Sequence, residues 1–293
     1  MRKISTITIQ FLLFFALFSL LLNSLYLIVI MRTDWDFRKR IESLKFTNPE
    51  FDLLILGSSL AQYGIDSELM TDKGLNSYNM ALVGNSIKTC QIQLQEYLER
   101  YTIRPKYAIL AANTFLEEFD QNGIHPVVEF TMHQQKIDLN DIPISKFRWQ
   151  GTELLKKAFS AEYRSGYLSS GQLRRSKIVA DETENNYMQL DVDKYESAEW
   201  VRKIANICEK ENIELILIEI PGVNETQNSS QIGPYKLSFQ DKSTATLYNL
   251  NSIEFCKFID PEKDWVGLSH FNTTGAAKFT MKMLNTIPFN VSQ

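Results

Sequence analysis

Between Phe11 and Met31 the chain is apolar except at Ser19, Asn23, Ser24 and Tyr26. As a helix, that run is long enough to cross the roughly 30 Å hydrocarbon core of a bilayer. A cleavable signal has a shorter apolar centre and small residues at its cleavage site. Neither is evident around Leu27-Ile28-Val29-Ile30-Met31, and no cysteine stands nearby to carry a lipid. Residues 1–32 are therefore expected as a signal anchor or transmembrane helix, followed by a charged linker at 33–49 and a domain over 50–293. Arg2 and Lys3 lie on one side of the span and Arg32, Arg38, Lys39 and Arg40 on the other, so charge alone leaves the orientation open.

Past the linker, Phe51-Asp52-Leu53-Leu54-Ile55-Leu56 reads as a buried parallel strand, apolar on both faces. It ends in Gly57-Ser58-Ser59, where glycine permits a sharp turn and Ser59 would emerge at the strand's carboxyl end. In open α/β sheets that is where sites lie. A helix is expected from Ile87 through Tyr101, because Ile87, Cys90, Leu94, Leu98 and Tyr101 recur on one face. A second is expected over Asp193 to Lys210, with Ala198, Val201, Ile204, Ala205 and Cys208 inward and Asn212 as its C-terminal cap. Each feeds an apolar strand, the second being Leu215-Ile216-Leu217-Ile218-Glu219-Ile220. Such alternation predicts a three-layer, flavodoxin-like parallel sheet with helices on both faces.

A serine hydroxyl is a poor nucleophile unless a base removes its proton, so the fold must bring an imidazole to Ser59. Of three histidines, His270 stands in Ser269-His270-Phe271-Asn272, just before a C-terminal helical pattern. His125 and His133 lack the helical i, i+4 spacing and flanking carboxylates of a metal motif. Gly and Ser are ordinary turn residues, so the turn alone specifies no chemistry. The pairing of both motifs is what points to a Ser-His site.

With those residues in view, the chain resembles the SGNH, or GDSL-like, hydrolase superfamily, and especially its membrane-anchored bacterial members related to O-acyltransferases and esterases of cell-envelope polysaccharides. The family's Gly-x-Ser turn maps onto Gly57-Ser58-Ser59, with Ser58 where many members carry Asp, and the stretch Leu60-Ala61-Gln62-Tyr63-Gly64-Ile65-Asp66 looks like that of the anchored subgroup. Its oxyanion-hole glycine maps onto Gly84 and its strand-end asparagine onto Asn113. Gly84 also fits a simple strand end ahead of a helix capped by Asn85 or Ser86, and Asn113 fits a residue satisfying backbone groups at a strand end. In the last block the family's Asp, three residues before the histidine, is replaced by Gly267. Asp264 is then the expected third member, with Asp260 as the other choice, and either would need the loop to fold back. The following Asn272-Thr273-Thr274-Gly275-Ala276-Ala277-Lys278-Phe279-Thr280 fits the family closely.

The resemblance implies an acyl-enzyme on Ser59, with His270 as base and an oxyanion held by the backbone N–H groups of Ser59 and Gly84 and the amide of Asn113. It also implies placement in the cytoplasmic membrane with a single pass and the domain outside. The expected substrate is an envelope polysaccharide or lipid-linked glycan, and a membrane-bound acyltransferase is a conceivable partner. Esterase and O-acyltransferase outcomes differ only in the acceptor. The alternative is a non-catalytic protein of the same fold that binds glycan or scaffolds such a partner, a reading supported by Gly267. No metal or nucleotide cofactor is implied, and a net charge of -4 argues against nucleic acid.

The remaining signals are weaker. Glu219 interrupts its strand near the carboxyl end, as a substrate contact, a substitute acid or a residue paired with a neighbouring donor. The irregular stretch from about 115 to 190 reads as an insertion over the site, carrying Trp149 and the basic residues Arg164, Arg174, Arg175 and Lys177, which suit an anionic glycan, a lipid headgroup or a solvated helix face. A second loop, Gly222 to Tyr235, reads as a mobile rim. Cys90, Cys208 and Cys256 are an odd set and read as buried free thiols. Of four Asn-x-Ser/Thr sequons, at Asn224, Asn228, Asn272 and Asn290, the third abuts His270, where a glycan would obstruct the site.

Overall fold

The computed structural model describes residues 2–47, 49–111, 123–132, 168–174, 190–222, 231–266 and 270–290. The chain divides into two compact units, 1–45 with 126–165, and 46–125 with 166–293.

In the first unit, helix α1 (Arg2–Thr33) contains the apolar stretch Thr6–Arg32, which is long and apolar enough to span a membrane. The expected linker holds a second helix, α2 (Trp35–Ser43), whose N-cap Asp34 accepts from Phe37 N–H at 3.0 Å. Its apolar side meets Pro126–Met132, the only described helix of the expected insertion: Ile30, Phe37, Val127 and Phe130 form one buried cluster, with the Phe37 and Phe130 rings 5.7 Å apart. Lys39 is buried there as well, and desolvation lowers its pKa to about 7 against an opposing pull from Asp36.

The second unit is built on a six-stranded sheet. Its strands are β1 (Leu53–Gly57), β2 (Ser77–Asn79), β3 (Tyr107–Ala111), β4 (Glu214–Glu219), β5 (Tyr235–Ser238) and β6 (Thr244–Asn249), in the order β2-β1-β3-β4-β6-β5. All neighbours are parallel except the edge pair β5 and β6. This is the flavodoxin-like order with an antiparallel strand added, and its switch point lies where β1 separates β2 from β3. Leu53, Leu54, Ile55 and Leu56 are fully buried, each worth about 1.5–3 kcal/mol relative to exposure.

Alternate side chains feed two cores. Leu54, Leu56, Leu215 and Leu217 pack with α5 (Ile87–Arg100) and the helix Glu199–Lys210, whereas Leu53, Ile55, Ile216 and Ile218 share a core with Met70 of α4 (Ser67–Asp72) and with the helix Thr273–Thr286. Helices therefore cover both faces, as the alternation predicts. The expected helix over 193–210 is broken at Ala198 into Val192–Ser197 and Glu199–Lys210, and Asn212 ends the second piece in the left-handed region at φ 57.

The last helix is clamped onto a two-stranded hairpin, β7 (Trp265–Val266) and β8 (His270–Phe271). Gly275 makes the approach possible: a Cβ there would collide with the carbonyl oxygen of Asp264 and lie 2.8 Å from Cδ1 of Phe271. Asn272 is the helix N-cap, accepting from Thr274 and Gly275 N–H at 3.0 Å each. Its own amide donates to the Lys263 carbonyl, and only 3% of the residue is exposed, so this sequon is a structural cap with its nitrogen engaged.

Gly275→Ala is expected to lower stability by about 1–3 kcal/mol, since backbone must shift to admit the methyl group; chemical denaturation of the purified chain checks this. Lys39 gives a pH signature in the first unit. The unfolded chain keeps the lysine protonated up to its ordinary pKa of 10.5, whereas the folded form loses that proton near 7, so stability rises with pH between those values. Lys39→Met is expected to abolish this slope in melting curves of the detergent-solubilised protein at about pH 6.5 and about pH 9.

Candidate functional site

At the carboxyl end of β1 the chain turns through Gly57 at φ 152 into a short helix, α3 (Ser59–Gly64). A Cβ on Gly57 would sit 2.9 Å from the Ala61 Cβ and 3.1 Å from the Ala111 Cβ, so any side chain here would push α3 off β3. Two helical turns do not persist alone. Fully buried Asn79, from the end of β2, holds this helix by donating to the carbonyls of Ala61 and Ile65 at 2.9 and 3.3 Å. The Leu173 N–H donates to the Gln62 carbonyl at 3.2 Å from the other side.

Ser59 is the first residue of α3 and is half-buried. Its Oγ lies 2.8 Å from Nε2 of His270, a residue 211 positions away in sequence. The imidazole is delivered by the hairpin. Phe271 points into the core, stacked on Trp265 with centroids 4.3 Å apart and lying against Gly64 at the end of α3, while His270 meets the start of the same helix. Tyr63, one turn after Ser59, presents its ring to His270 at 5.0 Å and 75°. One short helix thus carries both the hydroxyl and an aromatic wall for the imidazole, at i and i+4. Tyr63 carries no motif of its own in the sequence, and the signal that points to it is its i+4 spacing from Ser59.

The loop after β2 is stitched to the same strand end. Met80 N–H donates to the Ile55 carbonyl at 2.7 Å, and the Gly57 carbonyl accepts from Leu82 N–H at 3.3 Å and the Asn85 amide at 3.2 Å. Gly84 follows at φ 72, with no atom within 4 Å of where a Cβ would be. Neither the Ser59 nor the Gly84 N–H has a hydrogen-bond partner among the described residues. Neither is used by the described helices and strands, as is common for first-turn amides. Ser86, not Asn85, is the N-cap of α5, accepting from Thr89 N–H at 3.1 Å. Asn113, Gly267 and Ser269 lie outside the described residues.

Asp264 does not reach the imidazole. Its fully buried carboxylate accepts from Lys278 Nζ at 2.7 and 2.9 Å and from Asp260 N–H at 2.7 Å, and it makes no hydrogen bond to His270. The cause is the hairpin register: Asn272 N–H bonds the Asp264 carbonyl, which sets Asp264 across from Asn272, not from His270. Asp260 is turned to the surface, where the Glu262 N–H and Lys263 hold its carboxyl below the usual range.

Glu219 is fully buried, in register with Asn249 of β6 and on the sheet face of Leu215 and Leu217. Of the basic cluster, Arg174 is described, and it pairs with Asp66 at 2.9 Å and Glu68 at 3.2 Å; Arg164, Arg175, Lys177, Trp149 and His133 lie outside the described residues. The three cysteines are free, and burial pushes each thiol up to about 12, which leaves them poor nucleophiles at neutral pH.

Chemically, the contact suits proton transfer. With the imidazole proton on Nδ1, the Ser59 hydroxyl donates into the Nε2 lone pair, the arrangement a general base requires. The N–H groups of Ser59 and Gly84, which have no partner among the described residues, lie on two segments that meet at Gly57, and backbone N–H groups are the donor type that suits a developing oxyanion.

No family model matches the chain, and no curated protein matches it. Among solved structures, a mutant of the esterase AlinE4 is similar at 11% identity, over 83% of this chain and 100% of that chain, with a TM-score of 0.29. Nothing about this chain's chemistry rests on that likeness.

Asp264→Asn discriminates a brace from a triad member. Lys278 keeps 41% exposure and stays solvated, so the expected loss is about 1–2 kcal/mol of stability, read by denaturation. Reactivity of Ser59 is expected to stay within about threefold of wild type, whereas loss of a working triad acid lowers turnover by about 10⁴.

Proposed function

We propose that the chain is a membrane-anchored serine acyl-transfer enzyme of SGNH type, acting on acyl esters of cell-envelope carbohydrate. The observation that carries this is the 2.8 Å contact between Ser59 Oγ and His270 Nε2 at the carboxyl edge of a parallel sheet. His270 takes the hydroxyl proton as Ser59 Oγ bonds to the ester carbonyl carbon. The carbonyl oxygen becomes an oxyanion facing the N–H groups of Ser59 and Gly84, with each good donor worth on the order of 3 kcal/mol in the transition state. Collapse breaks the bond to the alcohol oxygen, which leaves with the proton from His270. An incoming hydroxyl then repeats these steps in reverse: His270 takes its proton, the acyl group moves to its oxygen, and Ser59 regains its hydrogen. Water as acceptor gives an esterase and a sugar hydroxyl gives an O-acyltransferase.

The apolar helix at the N-terminus supports an anchored enzyme, and an anchored enzyme suits a polymer or lipid-linked glycan presented at the outer face of the membrane. Asp264 acts as a brace in this reading, and Ser59 and His270 carry the chemistry. That same feature favours the second reading, a glycan-binding or scaffold protein that retains the fold, because the carboxylate available in the hairpin is committed to Lys278.

A fluorophosphonate probe distinguishes the two. Wild-type protein is expected to be labelled at Ser59, with labelling falling by at least about 10³ in Ser59→Ala and His270→Ala. Folded wild-type protein that takes no label favours the binding reading.

A further inference from the structure

We infer that His125 is a positioning residue for the oxyanion site, acting through the peptide bond that joins Val83 to Gly84; this rests on the acyl-transfer reading above. The Nε2 of His125 lies 3.1 Å from the Val83 carbonyl oxygen. A carbonyl only accepts, so Nε2 carries the proton and donates. That carbonyl and the Gly84 N–H belong to one planar, trans peptide unit and point in opposite directions. A bond that pins the oxygen therefore also aims the hydrogen. It matters at this position because Gly84, at φ 72, has no side chain and nothing packed within 4 Å of where one would begin, so beyond the ties of Leu82 and Asn85 to Gly57 the His125 bond is what acts on this peptide unit directly. Donation into the carbonyl also polarises the unit and makes its N–H a stronger donor.

The histidine is itself anchored by a directed chain of hydrogen bonds. Ser86 Oγ donates to the Gly123 carbonyl at 2.8 Å, so the 2.9 Å contact between Ser86 and Thr89 must use the Thr89 proton. Thr89 Oγ1 then accepts from the His125 N–H at 2.9 Å. Ser86 and Thr89 are both buried, and Ser86 caps α5 with the same oxygen. The run from His125 N–H through Thr89 and Ser86 to Gly123 closes on the segment it started from. This ties residues 123–125 to the start of α5, immediately after the Gly84 loop.

The test uses the full chain in detergent, with His125→Ala, His125→Gln and Thr89→Val measured against wild type. The readouts are the rate of fluorophosphonate labelling, the hydrolysis of p-nitrophenyl acetate and the melting temperature. His125→Ala is expected to slow labelling and lower kcat on the order of tenfold, with KM within about twofold, because a misaimed donor is lost from the transition state more than from the ground state. His125→Gln, which keeps an N–H donor, is expected to recover most of that loss. Thr89→Val is expected to act in the same direction and non-additively with His125→Ala. Wild-type rates in a folded His125→Ala protein overturn the inference. So does a loss that glutamine fails to recover and that tracks a fall in melting temperature, which marks a scaffold role. Labelling that survives Ser59→Ala overturns the acyl-transfer reading and this inference with it, whereas Ser59-dependent labelling that ignores His125 sinks the inference alone.

Discussion

The crowding around Gly57 is the constraint on which the second unit's site depends. With hydrogen in place of a side chain, the end of β1 lies against Ala61 and Ala111, so α3 starts directly over the sheet's edge. The carbonyl of the same residue holds the Gly84 loop through Leu82 and Asn85. One residue thus sets the distance from the Ser59 hydroxyl to the sheet and ties down the loop that carries Gly84. A larger residue would disturb both at once, at a φ of 152 that an L side chain rarely adopts.

Much of this was legible in the sequence, for identifiable reasons. The apolar run through Leu56 has one plausible fate in a domain of this size, and a Gly-Ser-Ser turn behind it points to the carboxyl edge. The faces of α5 and of the helix Glu199–Lys210 are periodic enough to predict the layers they cover. The short pieces left no comparable trace. β2 has three residues and is recruited by Leu53 to Ile55, not by any pattern of its own. Thr244–Asn249 alternates weakly and becomes a central strand because β4 offers a partner. Asn79 and Thr89 look like ordinary polar residues until their buried partners are seen.

The acidic side of the site shows why spacing alone misleads near a hairpin. Counting back from His270 makes Asp264 a reasonable orienter of the ring. Strand pairing decides otherwise, because Val266 is the residue opposite His270, and Asp264 is opposite the cap of the final helix. A carboxylate buried there requires a cation, and Lys278 supplies one from that helix. The hairpin, the cap and the ion pair form one joint, whose geometry presents the imidazole to α3 through packing of Trp265 and Phe271.

The hydroxyl and the ring that meets it are separated by 211 positions, and every strand of the central sheet after β1 is laid down between them. Closing so long a loop is slow and is rewarded only when the intervening layers are in place. During synthesis the serine therefore emerges long before its base. A chain stalled partway, or one whose final helix has not docked, carries the Ser59 hydroxyl without the imidazole that meets it in the finished fold. Under the acyl-transfer proposal, reactivity is in that sense a late property of assembly: it appears when the two ends of the second unit have found each other and vanishes as soon as they part.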